Sequence, residues 1–220
     1  MLGARRLYIA GGDNPIKWEW RPHADSRFSE IAELNDVWCL EIQCKIDIKM
    51  LSPRTFYAAY LVFGLRKWSR GLNVCNTTIR FVGDDSGEDA DKRARLVHLH
   101  TTENRHGDKA VTRDDGWMEV EMGNFYLVDA EQGEVEARLF EKTRSKSGLI
   151  VEGIEFRLIR IEISDTLSLD KKAVLPKIRI RGVLRPCGGS TTPSWPTRGQ
   201  RIGNIHNSIH QIKYEAVGFF

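Results

Sequence analysis

Two tryptophans, Trp18 and Trp20, follow a Gly11-Gly12-Asp13-Asn14-Pro15 turn and alternate with Lys17, Glu19 and Arg21. On a strand the two indoles share one face. A tryptophan pair on one face is either core or a flat platform. A platform suits a sugar, because the axial C–H groups of a pyranose lie on the indole while its hydroxyl edge seeks polar partners.

Other chemistry-bearing groups read as structural. Cys39 and Cys44 are five residues apart, so on one strand they face opposite ways, and Cys75 and Cys187 stand alone. No C-x-x-C occurs. His98 and His100 share a strand face with His106 nearby, but no cysteine supports a metal site there. His206 and His210 share a face only if the tail is helical. Asp84-Asp85 and Asp114-Asp115-Gly116 fall in turns, where Asp suits the backbone, and neither has calcium-loop spacing. No nucleophile elbow, zinc-protease helix, phosphate-cradling glycine loop or dinucleotide fingerprint is present. The expectation is a binding module without catalysis, metal or cofactor.

The elements that must hold these groups are strands. Leu40, Ile42, Cys44, Ile46, Ile48 and Met50 alternate with Glu41, Gln43, Lys45, Asp47 and Lys49. That period of two places one face on a core and the other in water. Met118, Val120 and Met122 alternate with Glu119 and Glu121, and Val135, Ala137 and Leu139 with Glu134, Glu136 and Arg138. The runs Tyr57 to Leu65, Thr77 to Val82, Arg95 to His100 and Leu149 to Ile163 are rich in β-branched and aromatic residues. Polar turn clusters separate them. The pattern predicts an all-β, antiparallel sandwich, with one short helix open near Phe28 to Leu34.

Composition sets the outer limits. Of 220 residues, 41% are hydrophobic and 29% charged, enough for a core in one or two domains. The longest apolar run is far short of the roughly 20 residues a membrane-spanning helix needs. No signal-peptide pattern is read, and four cysteines do not make a disulfide scaffold, so a reducing compartment is expected. From Glu162 onward nine basic residues face four acidic ones, a net +5, whereas the first 161 residues carry −2. Residues 1–161 are therefore read as the folded domain and 162–220 as a basic, irregular C-terminal extension.

The opening M-L-G-A-R-R-L-Y-I-A-G-G-D-N-P-I-K-W-E-W resembles that of the phloem protein 2-like plant lectins typified by tobacco agglutinin. The resemblance continues in order through S-R-F-S-E-I-A-E-L at 26–34, W-C-L-E-I-Q-C-K-I at 38–46 and L-S-P-R-T-F-Y-A-A-Y-L-V-F at 51–63. It extends through D-G-W-M-E-V-E-M-G-N-F at 115–125, G-E-V-E-A-R-L-F-E at 133–141 and K-S-G-L-I-V-E-G-I-E-F-R at 146–157.

The resemblance implies a jelly-roll-like β-sandwich that binds N-acetylglucosamine oligomers of the chitin type, or N-glycan cores, without catalysis or metal. It implies a plant cytoplasmic and nuclear protein, phloem included, with glycans or glycoproteins as partners and a homodimer in some members. Many members carry an F-box ahead of this domain, and none is read in these 220 residues. By resemblance the carbohydrate-binding residues are Trp18, Glu134 and Glu141. Lys17 stands where the family has a tyrosine. The family's first platform tryptophan corresponds to Gly11, and Trp20 keeps an indole on the same strand face. Glu134 and Glu141 are seven residues apart, so a bulge near Phe140 is required to turn both to one site. Gly11 motivates an alternative, a lectin-fold protein-interaction or substrate-adaptor module with weakened sugar binding. RNA association through the basic tail is the third reading.

Overall fold

The computed structural model describes residues 1–83, 94–100, 108–128 and 133–159, with the backbone of two further short strands at 161–163 and 178–180. His106, Asp84, Asp85, Cys187, His206, His210 and the Lys171-Lys172 pair lie outside the described residues.

The strands in chain order are β1 (Leu2–Gly3), β2 (Tyr8–Ile9), β3 (Trp18–Arg21), β4 (Ile31–Leu34), β5 (Leu40–Asp47), β6 (Thr55–Arg70), β7 (Cys75–Phe81) and β8 (Arg95–His98). They continue with β9 (Asp108–Lys109), β10 (Val111–Thr112), β11 (Met118–Leu127), β12 (Glu134–Glu141), β13 (Ser147–Leu158), β14 (Ile161–Ile163) and β15 (Ile178–Ile180). One sheet runs β10-β11-β6-β13-β4-β3, with β1 also on β13; the other runs β2-β5-β12-β7-β8-β9. Among the described residues all strand pairings are antiparallel except β8 with β9. β14 and β15 pair with each other.

The sheets face each other across one main core. Ala59, Leu61, Phe63, Leu149, Val151 and Met122 from the first sheet meet Ile42, Cys44, Ala137, Leu139 and Val97 from the second. This is the antiparallel sandwich that period-two alternation predicts. Leu40, Ile42 and Cys44 are buried, and the polar residues between them lie on the outer face. The alternation from Leu40 does not continue as strand to Met50. The chain turns through a 3-10 segment at Ile48–Met50, capped by Asp47, whose side chain accepts from Lys49 N at 2.9 Å.

The segment considered for a helix, Phe28 to Leu34, contains β4 instead. Ile31, Ala32, Glu33 and Leu34 are all buried, because β4 is covered on both faces. Ala32 and Leu34 face the main core, while Ile31 joins Val62, Trp117 and Ile150 in a small apolar cluster behind the sheet. A four-residue strand buried on both sides carries no alternation, so its local pattern is silent. Glu33 is held by Arg21 Nε at 2.5 Å and by Arg66, which fastens β3 to the sheet. Burial raises the Glu33 pKa, but the hydrogen bonds from Arg66 and Arg21 outweigh it and hold the carboxyl below its ordinary range.

Parity on β11 is reset by a bulge between Glu121 and Gly123. Val120 and Met122 point inward before it, Phe125 and Leu127 after it. Gly123 has φ +150°, and a Cβ there would lie 2.8 Å from Ile79 Cγ1, so both backbone and space ask for glycine.

Candidate functional site

The turn before β3 is built by its own sequence. Gly11 sits at φ +71°, a conformation glycine adopts without a Cβ penalty. Gly12 N donates to Ile9 O at 2.9 Å, and Asn14 N to Gly11 O at 3.0 Å. The Asn14 side chain accepts from Ile16 N at 2.9 Å, a local Asx turn, and its carbonyl accepts from Lys17 N and Trp18 N. The strand then folds back on the turn. Trp18 Nε1 donates to Ala10 O at 3.3 Å and Trp20 Nε1 to Gly12 O at 2.6 Å. Indoles at alternate positions of β3 thus latch alternate carbonyls of the turn.

The two rings fare differently. Trp18 is 1% exposed and belongs to the main core. Trp20 is partly buried and packs against that core from the edge. Its ring carries the Arg5 guanidinium, with Cζ 3.9 Å from the ring centroid. Arg5 is in turn held by Glu30, Nε to Oε2 at 2.8 Å, and this hydrogen bond keeps the Glu30 carboxyl below its ordinary range. Beside these residues lies an open cleft of ≈ 410 Å³, bordered by Arg5, Gly12, Asp13, Pro15, Trp18, Glu19, Trp20 and Asn35. Lys17 is exposed; its Cδ lies 2.9 Å from where a Cβ on Gly11 would stand. The lysine stem therefore covers Gly11.

The two glutamates do not converge. β12 pairs with β5 in unbroken register from Glu134 opposite Asp47 to Glu141 opposite Leu40, so no bulge intervenes. Seven residues of strand separate them by about 24 Å along the sheet. Glu134 is exposed at one end. Glu141 lies at the other end, 5% exposed, on the inward parity of Val135, Ala137 and Leu139. That end carries the turn before β3, because Ala10 N donates to Glu41 O at 3.0 Å. Yet Glu141 does not border the cleft. It accepts from Thr143 N at 2.8 Å and pairs with Lys146, whose side chain is fully buried and also donates to Trp38 O and Arg144 O. Burial raises the Glu141 pKa, but hydrogen bonds from Lys146 and Thr143 outweigh it and hold the carboxyl below its usual range.

The remaining candidates take structural places. Burial pushes the Cys44 and Cys75 thiols up to about 12, which removes nucleophilic thiolate, and Cys39 is exposed. His98 Nδ1 lies 2.9 Å from Asn73 O, and His100 Nε2 lies 3.3 Å from Ser69 Oγ. Asp115 caps its turn by accepting from Trp117 N at 3.2 Å. Among the described residues no group of three or more His, Cys, Asp or Glu is placed to hold a metal. Among them too, no helix is long and apolar enough to cross a membrane. The border residues Arg5, Asp13, Glu19 and Asn35 are common surface types at no diagnostic spacing; Asp13 and Glu19 lie close to the Trp18-Trp20 pair in the sequence, whereas nothing there marks Arg5 or Asn35.

Fold and site together define an antiparallel β-sandwich with an indole-bearing polar cleft at one end. The chain belongs to the phloem protein 2 family: the family pattern described as Phloem protein 2 matches residues 1–158, through the last residue of β13. It is similar to the F-box protein PP2-B10 of Arabidopsis thaliana, 35% identical over 170 residues, covering 73% of this chain and 60% of that protein. F-box protein At2g02240 of the same plant is 38% identical over 168 residues, covering 71% and 50%. F-box protein VBF, also of Arabidopsis thaliana, is 34% identical over 182 residues, covering 71% and 64%. The chain thus spans between half and two thirds of these curated relatives.

Proposed function

We propose that this chain is a non-catalytic carbohydrate-recognition module for N-acetylglucosamine-type glycans, either chitin oligomers or N-glycan cores. The cleft before Trp20 carries the reading: a planar stack forms one wall, and Asp13, Glu19 and Asn35 supply acceptors and a donor around it. A sugar needs that combination of flat surface and convergent polar groups. In this reading Trp18 supports the wall from behind, Lys17 offers a donor at the lip, and Glu141 stiffens the end of the sandwich. Glu134 takes no part.

Affinity in this reading is modest. One stacking contact contributes about 0.5–1.5 kcal/mol beyond buried area, so the absent indole at Gly11 weakens binding by roughly tenfold or less. Pairing of two chains would restore strength through avidity. The setting proposed is the plant cytoplasm and nucleus, with glycoproteins as partners. Calorimetric titration of the native protein with chitotriose is the test. Saturable binding is expected, and no heat or retention at millimolar oligomer refutes the reading.

The sealed ring of Trp18 favours a second reading, in which the same face docks a protein and the module acts as a substrate adaptor. The F-box names of the relatives fit it. A protein ligand that chitotriose fails to displace would mark this reading as the correct one.

A further inference from the structure

We infer that Arg5 is a ligand-contacting residue that makes the cleft selective for an acetamido group; the inference rests on the carbohydrate reading above. The Trp20 ring is not bare. The Arg5 guanidinium lies over it at 3.9 Å, so a ligand approaching that face meets the guanidinium first. Arg5 is fixed twice, by the stack and by its Nε hydrogen bond to Glu30. Among the described residues no oxygen accepts from its two Nη groups. A planar fork held in place at the border of an open cleft, with its outer N–H groups unpaired among the described residues, is a prepared hydrogen-bond donor.

Charge decides what the fork accepts. Glu30 already neutralises Arg5, and Asp13 borders the same cleft, so the fork carries no surplus positive charge to draw an anion. A carboxylate or sulfate is repelled by those neighbours. A neutral carbonyl keeps the donor match without that cost. An acetamide offers the carbonyl to Arg5 and its N–H to a carboxylate of the cleft, which satisfies both kinds of group at once. A sugar bearing a hydroxyl at that carbon lacks the strong acceptor.

The experiment is calorimetric titration of the native protein, Arg5→Ala and Arg5→Lys with chitotriose, cellotriose and an oligomer of a uronic acid. Thermal melts run in parallel. Native protein is expected to prefer chitotriose over cellotriose by about tenfold, the scale of one hydrogen bond to a charged donor. Both variants are expected to lose about that factor for chitotriose, and with it the preference, while melting as the native protein does. The lysine keeps the charge but not the fork, so its loss separates geometry from electrostatics. Native binding with Arg5→Ala unchanged or tighter overturns the inference alone, since Arg5 then only covers the indole. A native preference for the uronic acid oligomer also overturns it. Failure of the native protein to bind any oligomer overturns the carbohydrate reading and this inference with it.

Discussion

Replacing Glu141 with Gln separates a ligand contact from a structural clamp. Glu141 is 5% exposed and Lys146 0%, so the pair is buried. Removing one partner of a buried ion pair costs about 3–5 kcal/mol, because the other charge stays behind. Here Trp38 O and Arg144 O still hold the ammonium, which puts the expected loss near the lower end. In a domain of this size about 1 kcal/mol moves the melting point by roughly 2–4 °C, so a drop of about 10 °C is expected for Glu141→Gln. The double variant Glu141→Leu with Lys146→Met removes both charges and is expected to recover most of that loss.

Acidification gives an independent reading. In the folded protein the Glu141 carboxyl sits below its ordinary value of 4.5. Between the folded and unfolded values the unfolded chain binds more protons, so the stabilisation is complete above the unfolded pKa. It is lost as pH falls through the folded one. Melts followed by circular dichroism at neutral pH and below 4.5 should show a steeper acid loss in the native protein than in Glu141→Gln. Chitotriose affinity, measured well below the melting point, should stay within about twofold of native. A variant that melts like the native protein but no longer binds glycan would refute the clamp and make Glu141 a ligand contact.

Three further outcomes are expected. Gly11→Trp places a side chain at φ +71° and drives its Cβ against Lys17, so it should lower the melting point by several degrees, the left-handed backbone alone costing about 1–2 kcal/mol. A thermal melt checks this, and an unchanged melting point would show that the turn relaxes. Glu134→Gln, exposed at the far end of β12, should change neither stability nor glycan binding beyond about 0.5 kcal/mol, as read by melting and titration. Trp18→Phe should destabilise the fold through a cavity and the lost hydrogen bond to Ala10 O, while the folded fraction still binds chitotriose; loss of binding without loss of stability would place Trp18 in direct contact with the sugar.

The chain's sequence determined the class of fold because strands buried on one face print a period of two. Leu40 to Cys44 and Val135 to Leu139 needed nothing further to show which side met the core. β4 left no such print, since both its faces are covered and a buried face looks the same whichever sheet or loop covers it. Order along the chain also placed two tryptophans on one side of β3, but not their exposure. That followed from what packed around each ring: the core closed over Trp18, and Arg5 came to rest on Trp20. Pairing across distance belonged to the tertiary structure alone. Arg66 meets Glu33 across 33 residues because β4 and β6 both pair with β13, and Arg5 meets Glu30 across 25 residues because β1 and β4 both pack on β13. Periodicity is a property of neighbours in sequence, whereas exposure and ion pairing depend on which distant segments the fold brings together.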